Sequence, residues 1–166
     1  MDGELPQTMG YEAAGVVDEL GVESGSTLLI NGASGSVGSA AVQFAVVRGA
    51  RVIGTASPAN HEYLRSLGAE PVAYGEGLVE RVRAFALDPV DFALDVAGSG
   101  ALPELIELAG GPEHVVTIAD FAGAQEHGGD VQQRGHWPRG PRARPDRRVD
   151  RLRALLAPGR ADVPAR

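Results

Sequence analysis

The chain has 166 residues, no cysteine, and 22 acidic against 15 basic side chains. That length suits one domain with a core of its own and hardly two, and the lack of cysteine excludes disulfides and thiolate metal sites. Ordinary hydrophobic content with few aromatic residues argues against both disorder and a disulfide-stapled mini-protein.

No basic start with an apolar core follows Met1, and no apolar run approaches membrane-spanning length. Neither a signal peptide nor a transmembrane helix is therefore expected, no membrane partner is implied, and a cytoplasmic location is the default. The charge is unevenly placed: residues 1–129 carry 18 acidic side chains against five arginines, whereas residues 130–166 carry four against ten.

In chain order, Gly10 to Val17 reads GYEAAGVV. Ala13, Ala14, Val16 and Val17 predict a short buried strand there, with bends at Gly10 and Gly15. Asp18 to Val22 reads as the stub of a helix, closed by a turn at Glu23-Ser24-Gly25-Ser26. From Thr27 onward extended and helical patterns alternate. Strands are predicted over 27–31, 51–55, 71–73, 91–96 and 114–118, and helices over 36–48, 59–67, 78–86 and 101–108. Gly49 and Gly68 are helix stops, Ser57 suits an N-cap and Pro58 a first helical position. Leu78, Val79, Val82, Phe85 and Ala86 form one apolar helix face. This alternation predicts an α/β fold, a doubly wound parallel (Rossmann) sheet with strand order 3-2-1-4-5.

Beyond Ala119 the regularity fails. Gly128 to Asp146 has neither a strand nor a helix period and reads as loop or disorder, while Val149, Leu152, Leu155 and Leu156 recover helical spacing. The expected organisation is thus a leading segment 1–17, a nucleotide-binding domain 18–127, and an Arg/Pro/Gly-rich tail 128–166 with a terminal helix. RGHWPRGPRAR, with Trp137, carries charge and a stacking ring for nucleic acid, but without a folded frame it reads better as a flexible basic tail.

The stretch that carries chemistry is Thr27 to Gly38, TLLINGASGSVG. A pyrophosphate approaches backbone N–H groups at a helix N-terminus closely, so the loop there tolerates little side-chain bulk. Ala33, Gly35 and Gly38 stand at the G-x-G-x-x-G positions, with Ala in place of the first Gly; Ser34 and Ser36 add hydroxyl donors. The loop follows a strand, opens a helix and sits in a βαβαβ pattern, which separates it from an ordinary glycine-rich turn. The end of the second predicted strand, Thr55-Ala56-Ser57, has no acid before Glu62. A carboxylate there would bind a ribose 2′-OH and repel a 2′-phosphate, so NADP is favoured over NAD. Ser57, Asn60, His61, Tyr63 and Arg65 are the candidates for the phosphate cradle.

Asp95-Val96-Ala97-Gly98 and Ile118-Ala119-Asp120 fall at the ends of the fourth and fifth strands, where open α/β sheets bind ligands. Backbone at Ala97 and Ile118 is expected to line the nicotinamide end. Asp95 reads as a loop-orienting hydrogen-bond acceptor rather than a catalyst, and Asp120 carries no preference. His61, His114, His127 and His136 show no metal spacing, with His114 expected to open a strand, and no metal site is expected.

GYEAAGVV, LLINGASGSVGSAAVQFAVVRGARVIGTAS, YLRSLGAE, FALDVAGSG and VVTIADF together resemble the medium-chain dehydrogenase/reductase superfamily, most of all its zinc-independent, NADPH-dependent quinone oxidoreductase branch. The resemblance spans about residues 8–127. It implies a GroES-like catalytic barrel beside a Rossmann domain, with hydride passing between NADPH and a quinone, enone or aldehyde in the cleft. By position, Gly32, Ala33, Ser34, Gly35, Ser36, Val37 and Gly38 match the pyrophosphate loop, and Ser57 with Tyr63 match the region that holds the 2′-phosphate.

The departures also matter. Zinc-dependent relatives have Gly-His-Glu where this chain has Gly10-Tyr11-Glu12, and no cysteine is present, which excludes catalytic zinc of that kind. GYEAAGVV resembles the barrel, so residues 1–17 are expected to be a barrel remnant with roughly a hundred family residues missing after it. Gly129 to Asp146 does not resemble the family's sixth strand, whereas Arg151 to Arg160 and Asp162-Val-Pro-Ala resemble its closing helix and strand. An internally deleted or partly frame-shifted relative is the expectation, and a missing sixth strand would leave a sheet edge open to self-association into a homo-oligomer. The expected function is NADP-dependent oxidoreduction, with a nucleotide-binding module lacking catalysis as the alternative. No catalytic residue is assigned; Tyr11 as proton donor is weighed against a buried strand tyrosine.

Overall fold

Leu28, Leu29 and Ile30 are fully buried in succession, so the strand that holds them must be covered on both faces. The computed structural model describes residues 7–127, with side chains from Ala13 onward. Strands β1 (Thr27–Asn31), β2 (Arg51–Ala56), β3 (Glu70–Ala73), β4 (Phe92–Asp95) and β5 (Val115–Thr117) alternate with helices α1 (Gln7–Glu19), α2 (Ser36–Val47), α3 (His61–Ser66), α4 (Leu78–Phe85), α5 (Leu102–Ala109) and α6 (Phe121–His127). The sheet is parallel in the order β3-β2-β1-β4-β5, with Leu29 beside Ile53 on one side and Ala93 on the other.

Alternation along β1 divides the core. Leu28 and Ile30 pack with Ala40, Ala41, Val42 and Ala45 of α2, Leu64 of α3, and Ala13 and Val17 of α1. Leu29 and Ile53 pack on the opposite face with Leu78 and Val82 of α4, Leu102 and Leu105 of α5, and Ala124 of α6. Helices therefore cover both faces, as the alternating pattern predicts. Gly49 and Gly68 adopt positive φ and end their helices, the conformation that only glycine takes without strain.

The expected strand at Ala13–Val17 is instead part of a helix. Ala13, Val16, Val17 and Leu20 follow the i, i+3, i+4, i+7 period, and the helix buries Ala13, Val17 and Leu20 in one cluster with α2 while Val16 packs against it, partly buried. The helix runs on through the expected stub and ends before Gly21, whose φ is positive.

Smaller differences follow from local geometry. Phe85, expected on the buried face of α4, is half exposed because the helix ends there at an extended Ala86, which reaches the core instead. His114 closes a 3-10 turn, Pro112–His114, just before β5. Helix α6 was not expected; Asp120 initiates it, its Oδ1 accepting from Gly123 N at 2.8 Å. The loop or disorder expected over Gly128–Asp146, the helix over Val149–Leu156 and the Arg-rich tail lie outside the described residues.

Candidate functional site

From β1 the chain crosses to β2 and β3 on one side, then returns to β4 on the other. The connections leaving β1 and β4 thus diverge and leave a crevice at the carboxyl ends of these two strands, where open α/β sheets bind ligands.

The loop from Gly32 to Gly35 forms one wall. Gly32 has φ of +85°, and a Cβ on it would stand 2.9 Å from Ala97 Cβ. Gly38 presses α2 onto the loop so closely that a Cβ would lie 2.8 Å from Ala33 Cα. Ala33 is fully buried, with Gly54 of β2 beneath it; a Cβ on Gly54 would come within 2.6 Å of Ala33 Cβ. Gly35 is different. Its nearest atom to an added Cβ is Gly32 O at 3.5 Å, an ordinary contact, so no packing inside this chain demands glycine there.

Gly35 is the N-cap of α2, and no side chain caps the helix. The first intrahelical bond runs from Ser39 N to Gly35 O, at 2.8 Å, which leaves the N–H groups of Ser36, Val37 and Gly38 without helical acceptors. Gly35 and Ser36 are exposed, Ser34 and Val37 half-buried. The loop presents donors, a helix N-terminus and little bulk, an arrangement suited to an anion.

The floor of the crevice is polar and buried. Asn31, Thr55, Asp95 and Thr117 are the last or next-to-last residues of β1, β2, β4 and β5, and none is more than 2% exposed. Thr55 Oγ1 donates to Asn31 Oδ1 (2.7 Å) and accepts from Gly32 N (3.0 Å). Asn31 Nδ2 donates to Asp95 Oδ1 (2.9 Å), which also accepts from Ala97 N (3.1 Å) and Gly98 N (3.0 Å). Thr117 Oγ1 donates to Asp95 Oδ2 (2.9 Å) and accepts from Ala119 N (3.2 Å) and Asp120 N (2.9 Å). Four donors converge on one carboxylate, the satisfaction a buried charge requires. Asp95 orients loops, as the sequence suggests.

The predicted site residues fall on this edge. Gly32, Ala33, Ser34, Gly35, Ser36, Val37 and Gly38 make the β1–α2 corner, exposed Ala97 follows β4 and half-buried Ile118 follows β5. Ser57 follows β2, half-buried, its Oγ accepting from Asn60 Nδ2 at 3.1 Å rather than capping a helix. Tyr63 is 45% exposed on α3. His61 Nε2 lies 3.2 Å from Ala56 O. Glu62, the first acid after β2, pairs with Arg65 on α3 at 2.5 Å. Tyr11 lies where no side chain is described. Sequence reasoning missed Asn31, Thr55, Thr117 and Gly54. A glycine inside an apolar strand run is a signal of close backbone approach and could have found the last of these.

A parallel five-stranded sheet with a glycine corner at its point of reversal defines a Rossmann-type α/β domain. Comparison with known proteins narrows the class: the family described as zinc-binding dehydrogenase matches residues 36–130, and the chain belongs to it, within the medium-chain dehydrogenase/reductase superfamily. The trans-enoyl reductase himH of Aspergillus japonicus is 42% identical over 78 residues, covering 46% of this chain and 22% of its own. Prostaglandin reductase 1 of Rattus norvegicus is 37% identical over 89 residues, covering 51% and 27%. Among solved structures, the quinone oxidoreductase of Coxiella burnetii superimposes with a TM-score of 0.60 at 28% identity, covering 75% of this chain and 40% of that one. The chain thus spans less than half the length of these relatives.

The family's description names zinc. Among the described residues no group of three or more His, Cys, Asp or Glu side chains is placed to hold a metal ion, so these residues do not fit such a site. No described helix is long and apolar enough to cross a membrane.

Proposed function

We propose that the chain binds a nicotinamide dinucleotide across the carboxyl ends of β1 and β4, with NADP(H) preferred over NAD(H), and serves as the cofactor-holding part of a reductase of quinones, enones or other carbonyl compounds. One observation carries this reading: the uncapped start of α2, with free N–H groups beside a Gly35 that packing within the chain does not require. That glycine leaves room for a pyrophosphate at van der Waals distance from the backbone.

The Gly32–Gly38 corner would hold the pyrophosphate, Ser57 with Tyr63 the 2′-phosphate, and backbone at Ala97 and Ile118 the nicotinamide. The absence of an acid between Thr55 and Glu62, with Glu62 paired to Arg65, supports NADP. When bound, the cofactor supplies hydride; the protein's part is to orient the ring and to keep water from it.

A second reading, binding without turnover, is favoured by the crevice floor. Asn31, Thr55, Asp95 and Thr117 hydrogen-bond one another and the loops, so none stands ready to deliver a proton to a substrate. Titration of NADPH fluorescence with the purified chain, followed by a quinone or enone turnover assay, decides between the two. Binding with turnover supports the reductase, and binding alone supports the second reading. Equal or tighter binding of NADH would overturn the cofactor preference, and no binding of either would overturn the site.

A further inference from the structure

We propose that Thr55, Asn31, Asp95 and Thr117 work as one side-chain relay that couples the two halves of the crevice, so that the loop at the pyrophosphate end and the loops at the nicotinamide end hold their shape together. The proposal rests on the nucleotide reading of the crevice. It adds positioning residues to it, and none of the four is argued to touch a ligand.

The hydrogen-bond directions leave little freedom. Thr55 Oγ1 accepts from Gly32 N, so its one proton goes to Asn31 Oδ1. That fixes the amide of Asn31, whose Nδ2 then faces Asp95 Oδ1. Thr117 Oγ1 accepts two backbone N–H groups, so its proton goes to Asp95 Oδ2. Asp95 and Thr117 each hold the loop after their own strand, Thr55 holds Gly32 in the loop after β1, and Asn31 joins Thr55 to Asp95 and reaches Ser99 Oγ at 3.4 Å.

The loops also touch above the relay. A Cβ on Gly32 would strike Ala97, and one on Gly98 would come within 3.0 Å of Ala119 Cβ. A shift of Gly32 is thereby transmitted both through the floor and along the rim. Asp95 stands at the centre, receiving Asn31 from one side, Thr117 from the other, and Ala97 and Gly98 from above. Buried networks of this kind are apportioned only by multiple-variant cycles.

The test uses the full chain with Thr55→Val, Thr117→Val, the double variant and Thr55→Ser. NADPH is one probe, and adenosine 2′,5′-bisphosphate, which lacks the nicotinamide, is the other. Thr117→Val should weaken NADPH most and the bisphosphate to a smaller degree, because the relay carries the loss back to Gly32. Thr55→Val should weaken both, and the double variant should bind NADPH at least about threefold more tightly than the product of the two single effects. Separated sites without shared partners multiply within a smaller error than that.

Amide hydrogen exchange without ligand gives an arm that does not depend on the nucleotide reading. In Thr55→Val, exchange at Ala97, Gly98, Ala119 and Asp120 should accelerate, and Thr55→Ser, which keeps the hydroxyl, should restore wild-type exchange. Multiplicative binding effects, or wild-type exchange at those four amides in Thr55→Val, would overturn the relay. Failure of the wild-type chain to bind NADPH would overturn the nucleotide reading alone, and the exchange arm would still decide the relay.

Discussion

The two ends of the sheet are built from the same five strands and solve the same problem differently. At the amino ends, polar groups meet in local pairs: Arg51 of β2 binds Glu70 of β3 through two nitrogens at 2.7 and 2.6 Å and also reaches Phe85 O at 2.9 Å, and Asp91 accepts from Thr27 N at 2.8 Å. These pairs are partly exposed, and each ties one strand to one neighbour. At the carboxyl ends, four buried side chains form a single connected row across four strands. A cavity of about 320 Å³ lies between α4 and α5, lined in part by Val82, Leu87, Val90 and Leu108, at the amino end of β4. What distinguishes the carboxyl end is convergence of donors and glycines, which fits a ligand rather than the needs of the core alone.

The largest expression of that contrast should be at Asp95. Asp95→Ala would leave two side-chain donors and two backbone N–H groups without their acceptor, all of them in or beside buried positions. Unsatisfied buried groups cost about 1–3 kcal/mol each before relaxation, so a loss of about 3 kcal/mol is expected in urea unfolding. A loss as small as that expected for the Arg51 pair would break the comparison.

The glycines separate packing from binding. Gly38→Ala places a methyl against the Ala33 backbone, atoms that no side-chain rotation can move, and should destabilise the fold by about 2 kcal/mol. Gly35→Ala meets nothing closer than 3.5 Å and should melt near wild type. Its NADPH affinity should nonetheless fall roughly tenfold, because the methyl would stand where the pyrophosphate is proposed to approach. Loss of stability in both variants would assign Gly35 to the core and remove the observation on which the nucleotide reading stands.

Much of the fold was legible because β1 to β5 each keep an apolar run, and Gly49 and Gly68 punctuate the helices. Residues 13–17 were ambiguous for a physical reason: Ala13, Ala14, Val16 and Val17 satisfy a continuous buried strand and a helical face equally well, and only Leu20 extends the helical period. Helix α6 was missed since its short segment, FAGAQEH, offers one buried residue, Ala124. At the site, the glycines announce themselves by type. Asn31, Thr55 and Thr117 do not: each is one polar residue at or next to the end of an apolar strand, and only the parallel register sets them side by side.

A finer test concerns cofactor preference at the end of β2. Ser57→Asp would place a carboxylate where the 2′-phosphate is proposed to sit, beside an Asn60 amide able to hydrogen-bond it. NADPH binding should weaken about tenfold or more, equivalent to roughly 1.4 kcal/mol, while NADH binding holds or improves. Parallel weakening of both would move the 2′-phosphate away from Ser57 and confine the polar end of the crevice to the row from Thr55 to Thr117.

The smallest effect belongs to the amino end. The Arg51 guanidinium is held above the ordinary arginine range, first by its hydrogen bonds to Glu70, against a desolvation cost from burial. A raised pKa on a cation contributes stability wherever the unfolded arginine is already charged, and that contribution is lost only as pH rises through the folded value. The titration of Arg51 should therefore leave the melting temperature unchanged across the neutral range. Glu70 is 40% exposed, so solvent screens the pair. Arg51→Met, which also removes the bond to Phe85 O, should destabilise by only about 0.5–1 kcal/mol. Salt should narrow the gap to wild type, since part of what is lost is an ion pair that salt already weakens. NADPH affinity should not change at all. A cofactor defect in Arg51→Met would mean that the two ends of the sheet communicate, and the division between an end that binds and an end that only holds would fail.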